Sequence, residues 1–113
     1  MKCAETDCPH AATHVPQLFV PAMGWPQEEA RAIKMILGAP MCRRHCERFT
    51  VADLMDVPNE TGATLRDTLI PAVARMSGSP IPPDCDRAWV TPLRMNSDAY
   101  REFERAQRAG WRP

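Results

Sequence analysis

Two tight groups of cysteine and histidine, far apart in the chain, constrain its fold more than any other feature. The first is Cys3-Ala-Glu-Thr-Asp-Cys8-Pro9-His10. The second is Cys42-Arg43-Arg44-His45-Cys46, which follows a Gly-Ala-Pro-Met turn. A C-x4-C gap lets two thiolates grip one ion from a tight loop, and C-x2-H does the same from the start of a helix. If residues 42–46 are helical, Cys42, His45 and Cys46 share one face. A tetrahedral ion needs only two of these three, and the compact C-x2-H gap favours Cys42 and His45. The expected ligands of a structural Zn²⁺ are therefore Cys3, Cys8, Cys42 and His45. Cys46 is the alternative should His45 point outward, and His10 the substitute should Cys3 be frayed.

The rest of the composition fits a small domain stapled by such a site. At 113 residues the chain can build one modest core. Its 14 basic and 14 acidic residues cancel, which argues against a protein devoted to coating nucleic acid or anionic membrane. The start is polar, with no apolar run like that of a signal peptide. No stretch approaches the roughly 18 apolar residues of a membrane span. The expected compartment is the cytoplasm, where five cysteines, an odd number, point to reduced or metal-bound thiols rather than a disulfide framework.

Between the two groups, residues 11–20 read as a strand rich in β-branched and aromatic side chains. Pro16 lacks a donor, which predicts an edge strand or a bulge, and Pro21 ends the run. Pro26 with Glu28 and Glu29 predicts a helix running to about Leu37, with Ala30, Ile33 and Leu37 as its apolar stripe and Gly38 as its cap. After the second group, Thr50 and Asp53 have capping-box spacing and predict a short helix stopped by Pro58.

Cys3-x4-Cys8, a strand, a long connection, and Cys42-x2-His45 running into a helix resemble small treble-clef or zinc-ribbon-like proteins of bacteria and phages. The resemblance covers about the first half of the chain. It implies a structural zinc site but no particular activity, because such knuckles bind DNA, RNA, proteins, or nothing beyond their own core. The histidine-asparagine-histidine pattern of treble-clef nucleases is not visible.

Further on, Leu65, Leu69, Val73 and Met76 recur at helical spacing. Pro71 is expected to kink or split that helix, and Gly78 to close it. Residues 79–84 are a stiff Pro-rich connection. Cys85, between Asp84 and Asp86, is not expected to be reactive. Residues 88–95 read as a strand pairing with the first, and two proline-bearing strands suit a small sheet. Asn96, Ser97 and Asp98 supply N-cap candidates for a last helix. Its apolar line is Ala99, Phe103 and Ala106, flanked by Tyr100, and Glu104 to Arg108 is a favourable pair. Arg101, Arg105, Arg108 and Arg112 with Trp111 could meet a nucleic acid, but the interleaved glutamates favour a solvated face.

The expected architecture is α+β: one zinc-stabilised domain with a two- or three-stranded antiparallel sheet and three to four short helices. Its segments are a knuckle half (1–57), a helical part (58–78), a linker (79–84), and a strand with a terminal helix (85–113). A filled ligand set and the lack of H-E-x-x-H, G-x-S-x-G, deaminase or Gly-rich phosphate motifs point away from an enzyme. Sequence adjacency does not recommend a nucleophilic pair of Cys46 with His45 or His14. The expected role is an interaction or adaptor protein that binds another protein, with Arg43, Arg44 and Arg48 turned outward as the first candidate contacts. The alternatives are a nucleic-acid-binding zinc module using those arginines, or a phage or mobile-element inhibitor of a host protein.

Overall fold

A computed structural model describes residues 1–78 and 80–110. Its backbone forms β1 (His14–Pro21), β2 (Ala32–Ile36), α1 (Arg43–Glu47), α2 (Val51–Met55), α3 (Leu69–Met76), β3 (Trp89–Arg94) and α4 (Asp98–Arg108). The three strands form one antiparallel sheet in the order β2-β1-β3, so the expected α+β class is observed. Among the described residues, no helix is long and apolar enough to cross a membrane.

β1 is the central strand and every one of its residues is buried. This corrects the edge position expected from Pro16. The Pro16 carbonyl accepts from Leu37 N–H at 3.0 Å, one residue past the end of β2. In an antiparallel pair a residue's N–H and C=O face the same neighbour, so the donor that Pro16 lacks falls where the ladder stops. Pro21, at the other end, still offers its carbonyl, which accepts from Asp84 N–H at 2.8 Å.

The helix expected from Pro26 to Leu37 is also corrected. Only Glu29–Arg31 makes a single 3-10 turn, and Ala32–Ile36 is strand β2. Ile33, from the expected helical stripe, and Ile36 carry branched side chains that suit a pleated surface. Pairing with β1 decides the outcome against local propensity.

The chain divides into two compact units. One comprises Met1–Gln17, Ile36–Phe49 and the chain from Thr91 onward; the other comprises Leu18–Met35 and Thr50–Val90. In the first, Val15, Met41, Cys46 and Tyr100 are buried. α4 starts at Ser97, whose hydroxyl accepts from Tyr100 N–H at 3.3 Å, so the cap was expected correctly. Its buried line begins at Tyr100, stacked at an angle on Phe103, whereas Ala99 is exposed. Glu104 and Arg108 pair at 3.2 Å. Trp111 and Arg112 lie outside the described residues.

In the second unit, Leu18, Phe19, Val20, Leu54, Met55, Ile70 and Ala74 are buried, and Phe19 stacks on Trp89 with ring centroids 5.1 Å apart. The Thr50–Asp53 capping box is present in both directions. α3 starts at Leu69, which leaves Pro71 in the first turn, where no intrahelical donor is required of it, and no kink is needed. The stripe differs from expectation: Ile70 and Ala74 face inward, while Met76 is 72% exposed. Beyond α3 the chain pairs with the run after β1: Ala22 and Pro83 form an antiparallel bridge, and Met23 N–H donates to Pro82 C=O at 2.9 Å. Ser79 lies outside the described residues.

Truncating Phe19 to alanine removes a fully buried ring and its stack on Trp89. The expected loss is about 3–5 kcal/mol, against less than about 0.5 kcal/mol for Met76→Ala on the exposed face. Urea denaturation of both variants checks the contrast.

Candidate metal centre

The first candidate ligand pair, Cys3 and Cys8, is held by a small closed loop. Lys2 and Ala11 bridge antiparallel, Cys3 N–H donates to His10 C=O at 3.0 Å, and Ala12 N–H donates to Met1 C=O at 2.9 Å. Within the loop the chain must reverse sharply before Cys8. Asp7 does this with φ 61, the left-handed region that aspartate tolerates better than most residues. Cys8 N–H then donates to Glu5 C=O at 3.3 Å.

The second pair is brought alongside by backbone hydrogen bonds. Met41 N–H donates to His14 C=O at 2.8 Å, and His14 N–H returns a bond to Met41 C=O at 2.9 Å. Ala4 N–H donates to Pro40 C=O at 2.8 Å, tying the knuckle directly to the residues before Cys42. Cys42 is the N-cap of α1 in extended conformation, and its side chain makes no capping bond. Instead its sulfur lies 3.1 Å from His45 Nδ1, three residues along the helix.

These constraints gather one donor atom from each of Cys3, Cys8, Cys42 and His45, all within 4.8 Å of one another. Cys8 and Cys42 sulfurs are 3.9 Å apart, and Cys3 sulfur lies 3.5 Å from His45 Nδ1. A tetrahedral ion with Zn–S of about 2.3 Å and Zn–N of about 2.0 Å spaces its donors about 3.8 Å (S to S) and about 3.5 Å (S to N). The two longer separations therefore already match a shared ion. The Cys42–His45 pair is closer and would open slightly. The cysteines are free thiols, not disulfides. The group rests on a small apolar cluster of Cys3, Met41, Cys42 and Cys46, with Cys8, Ala39 and Phe49 packed against it.

The electrostatics suit an ion too. Burial pushes the Cys3 thiol up, but backbone hydrogen bonds from Cys42 and Glu5 and contacts with His45 and Cys8 outweigh it and bring it down to about 6. At Cys8 a backbone hydrogen bond from His10 favours the thiolate. Burial and the neighbouring Cys3 and Cys42 sulfurs oppose it and win, so that thiol is held above its ordinary range. Three sulfurs this close cannot all be anionic without a cation among them.

The other candidates fall elsewhere. Cys46 is 1% exposed within the apolar cluster and is not one of the four gathered atoms. Burial, then Glu47, Cys42 and Cys3, push its thiol up to about 11. His10 is exposed, with Nδ1 3.6 Å from Cys8 sulfur and outside the four-atom group. His14 is buried, with Nδ1 2.7 Å from Thr13 Oγ1. Cys85 is raised chiefly by burial, with Asp86 and Asp84 adding to it. Arg43, Arg44 and Arg48 are exposed, and Arg43 Nε donates to Glu47 Oε1 at 2.7 Å. Sequence reasoning did not single out Asp7, Met41 or the His14 backbone, which position the donors. Only Asp7, an αL-tolerant residue inside a short C-x4-C loop, carried a visible signal.

No protein-family model matches the chain, and neither a curated protein nor a solved structure matches it.

Two outcomes test the site. Cys46→Ala is expected to keep full metal content while losing some stability through a packing void, whereas His45→Ala weakens metal retention against a competing chelator. Elemental analysis after chelator challenge separates the two. In the metal-free protein, Cys3 has a folded pKa of about 6 against an ordinary 9.0. Such a lowered thiol stabilises the fold fully above pH 9 and ceases to do so as pH falls through 6. The melting temperature of chelator-treated protein should therefore drop between pH 9 and pH 6, and this slope should flatten in Cys3→Ser.

Proposed function

We propose that Cys3, Cys8, Cys42 and His45 hold one structural Zn²⁺, and that the protein is a non-catalytic, zinc-stabilised interaction module whose partner is another protein. The observation that carries this reading is the donor set: four ligand atoms within 4.8 Å of one another with no carboxylate among them. Three thiolates and an imidazole are the donors of zinc rather than of calcium or magnesium, which take oxygen. A catalytic zinc keeps a position for water or substrate, and a set filled by four protein ligands has none. The order of elements adds support for a treble-clef-like arrangement. A ligand-bearing knuckle is followed by the antiparallel β1–β2 pair and then by α1, which carries the second ligand pair at its start.

A protein partner is favoured over a nucleic acid by the balance of charge. The chain has no net charge, and Arg43 in the basic stretch of α1 is already tied to Glu47. Arg44 and Arg48 are left as outward guanidinium groups on the element that the metal anchors. Arginine is among the residues that most often anchor protein interfaces.

Protein purified without added metal should carry stoichiometric zinc, and Cys42→Ser should lose both the zinc and the cooperative melting transition. Absence of zinc, or unchanged folding in Cys42→Ser, would sink the metal half of the reading. For the partner, capture from the native host before and after nuclease treatment, repeated with Arg44→Glu/Arg48→Glu, should return a protein that survives nuclease and is lost in the charge-reversed variant. A captured nucleic acid, or capture unaffected by charge reversal, counts against it.

A further inference from the structure

The same unit contains a second constellation that the metal reading leaves unused. An open cleft of about 640 Å³ is lined by Ala12, Thr13, His14, Arg43, Arg94, Met95 and Asn96. Its side chains come from three places: the run into β1, the first turn of α1, and the end of β3 with the turn after it. No acidic residue lines it. Glu47 reaches Arg43 from outside the lining, using one carboxylate oxygen on Nε at 2.7 Å, which orients that guanidinium and leaves its terminal nitrogens for another acceptor. Among the described residues Arg94 takes part in no ion pair. Between them the lining carries two positive charges, of which Glu47 offsets one.

His14 supplies the fixed floor. It is only 9% exposed, and its Nδ1 lies 2.7 Å from Thr13 Oγ1. When the threonine hydroxyl donates to Nδ1, Nε2 carries the proton and can donate to a ligand. Burial first, then the positive charges of Arg43 and Arg94, lower the His14 pKa against the opposing charge of Glu47.

We propose that this cleft is a binding site for a phosphate group, carried by a small phosphate monoester or present as free phosphate. Two guanidinium forks from different elements, an imidazole N–H and the Asn96 amide offer donors from several directions. A tetrahedral oxyanion with three or more acceptor oxygens can use them together, whereas a planar carboxylate is satisfied by one fork. The volume exceeds that of a bare phosphate and falls in the range of small-molecule clefts. The site is independent of the zinc reading, because its donors are not the metal ligands.

The test is titration of the full chain with inorganic phosphate in low-chloride buffer, followed by calorimetry and by the ¹H–¹⁵N signals of the His14 ring. Saturable binding with a shift of the His14 signals is expected. Arg94→Gln and Arg43→Gln should each weaken it at least about tenfold, a loss of about 1.4 kcal/mol. Arg101→Gln, an equal loss of charge on the outer face of α4, should leave it unchanged. Glycerol phosphate should compete with inorganic phosphate at the same ring signals. The proposal is overturned if phosphate binding does not saturate, or if Arg101→Gln weakens it as much as Arg94→Gln. It is overturned equally if a single-stranded oligonucleotide displaces phosphate far more tightly than glycerol phosphate does, which would make the cleft part of a nucleic-acid track.

Discussion

The exchange of backbone hydrogen bonds between His14 and Met41 is the constraint on which the rest of the first unit depends. It joins the start of the central strand to the residue just before Cys42. With it, Cys42 and His45 arrive beside a knuckle that the Lys2–Ala11 bridge and the Ala4–Pro40 bond have already set in place. A single backbone hydrogen bond contributes little on its own, about 1 kcal/mol net. These few bonds matter because they bring four side chains together as one candidate metal site, where a bound ion would contribute far more than any of them.

The four gathered donors and the apolar cluster packed with them also divide labour among chemically identical groups. Five thiols are present, and environment alone separates them. Cys3 receives backbone donors and is biased toward the thiolate, while Cys46, one turn of helix from Cys42, receives burial and neighbouring negative charge and is held as a neutral thiol. Cys46 thus behaves as a small apolar side chain. That outcome follows from helix geometry: His45 at i+3 from Cys42 reaches around to the cluster with a long ring, and the shorter Cys46 turns into the packing.

How much of this was legible in the sequence depended on the range of the interaction that decides each feature. Ligand spacing, the Thr50–Asp53 capping box and the Ser97 cap are settled by residues within a few positions of one another, and the chain displays them openly. The strand at 32–36 and the inward face of α3 were not legible, because both are decided by what lies across the fold. Ala30, Ile33 and Leu37 follow a helical period, and only the pairing of 32–36 with β1 overrides it. Pro16 in β1 misled for the same reason. Its missing donor matters only relative to where the neighbouring strand ends, and no local pattern carries that information.

The arrangement of Arg43 follows from these same tertiary choices. Its residue number is set by the ligand motif, since it stands directly after Cys42 and begins α1. Its surroundings are set by the sheet, because β3 pairs beside β1 and brings Arg94 to the same cleft as Thr13 and His14. Met95 N–H donating to Thr13 C=O at 3.0 Å holds that end of β3 in register. A slip of one residue would send Arg94 to the opposite face, since strand side chains alternate. The position of Arg43 directly after Cys42 and the sheet register therefore jointly determine which charges meet at His14. A chain that kept its ligand motif but lost the β1–β3 pairing would keep the knuckle and lose the cleft.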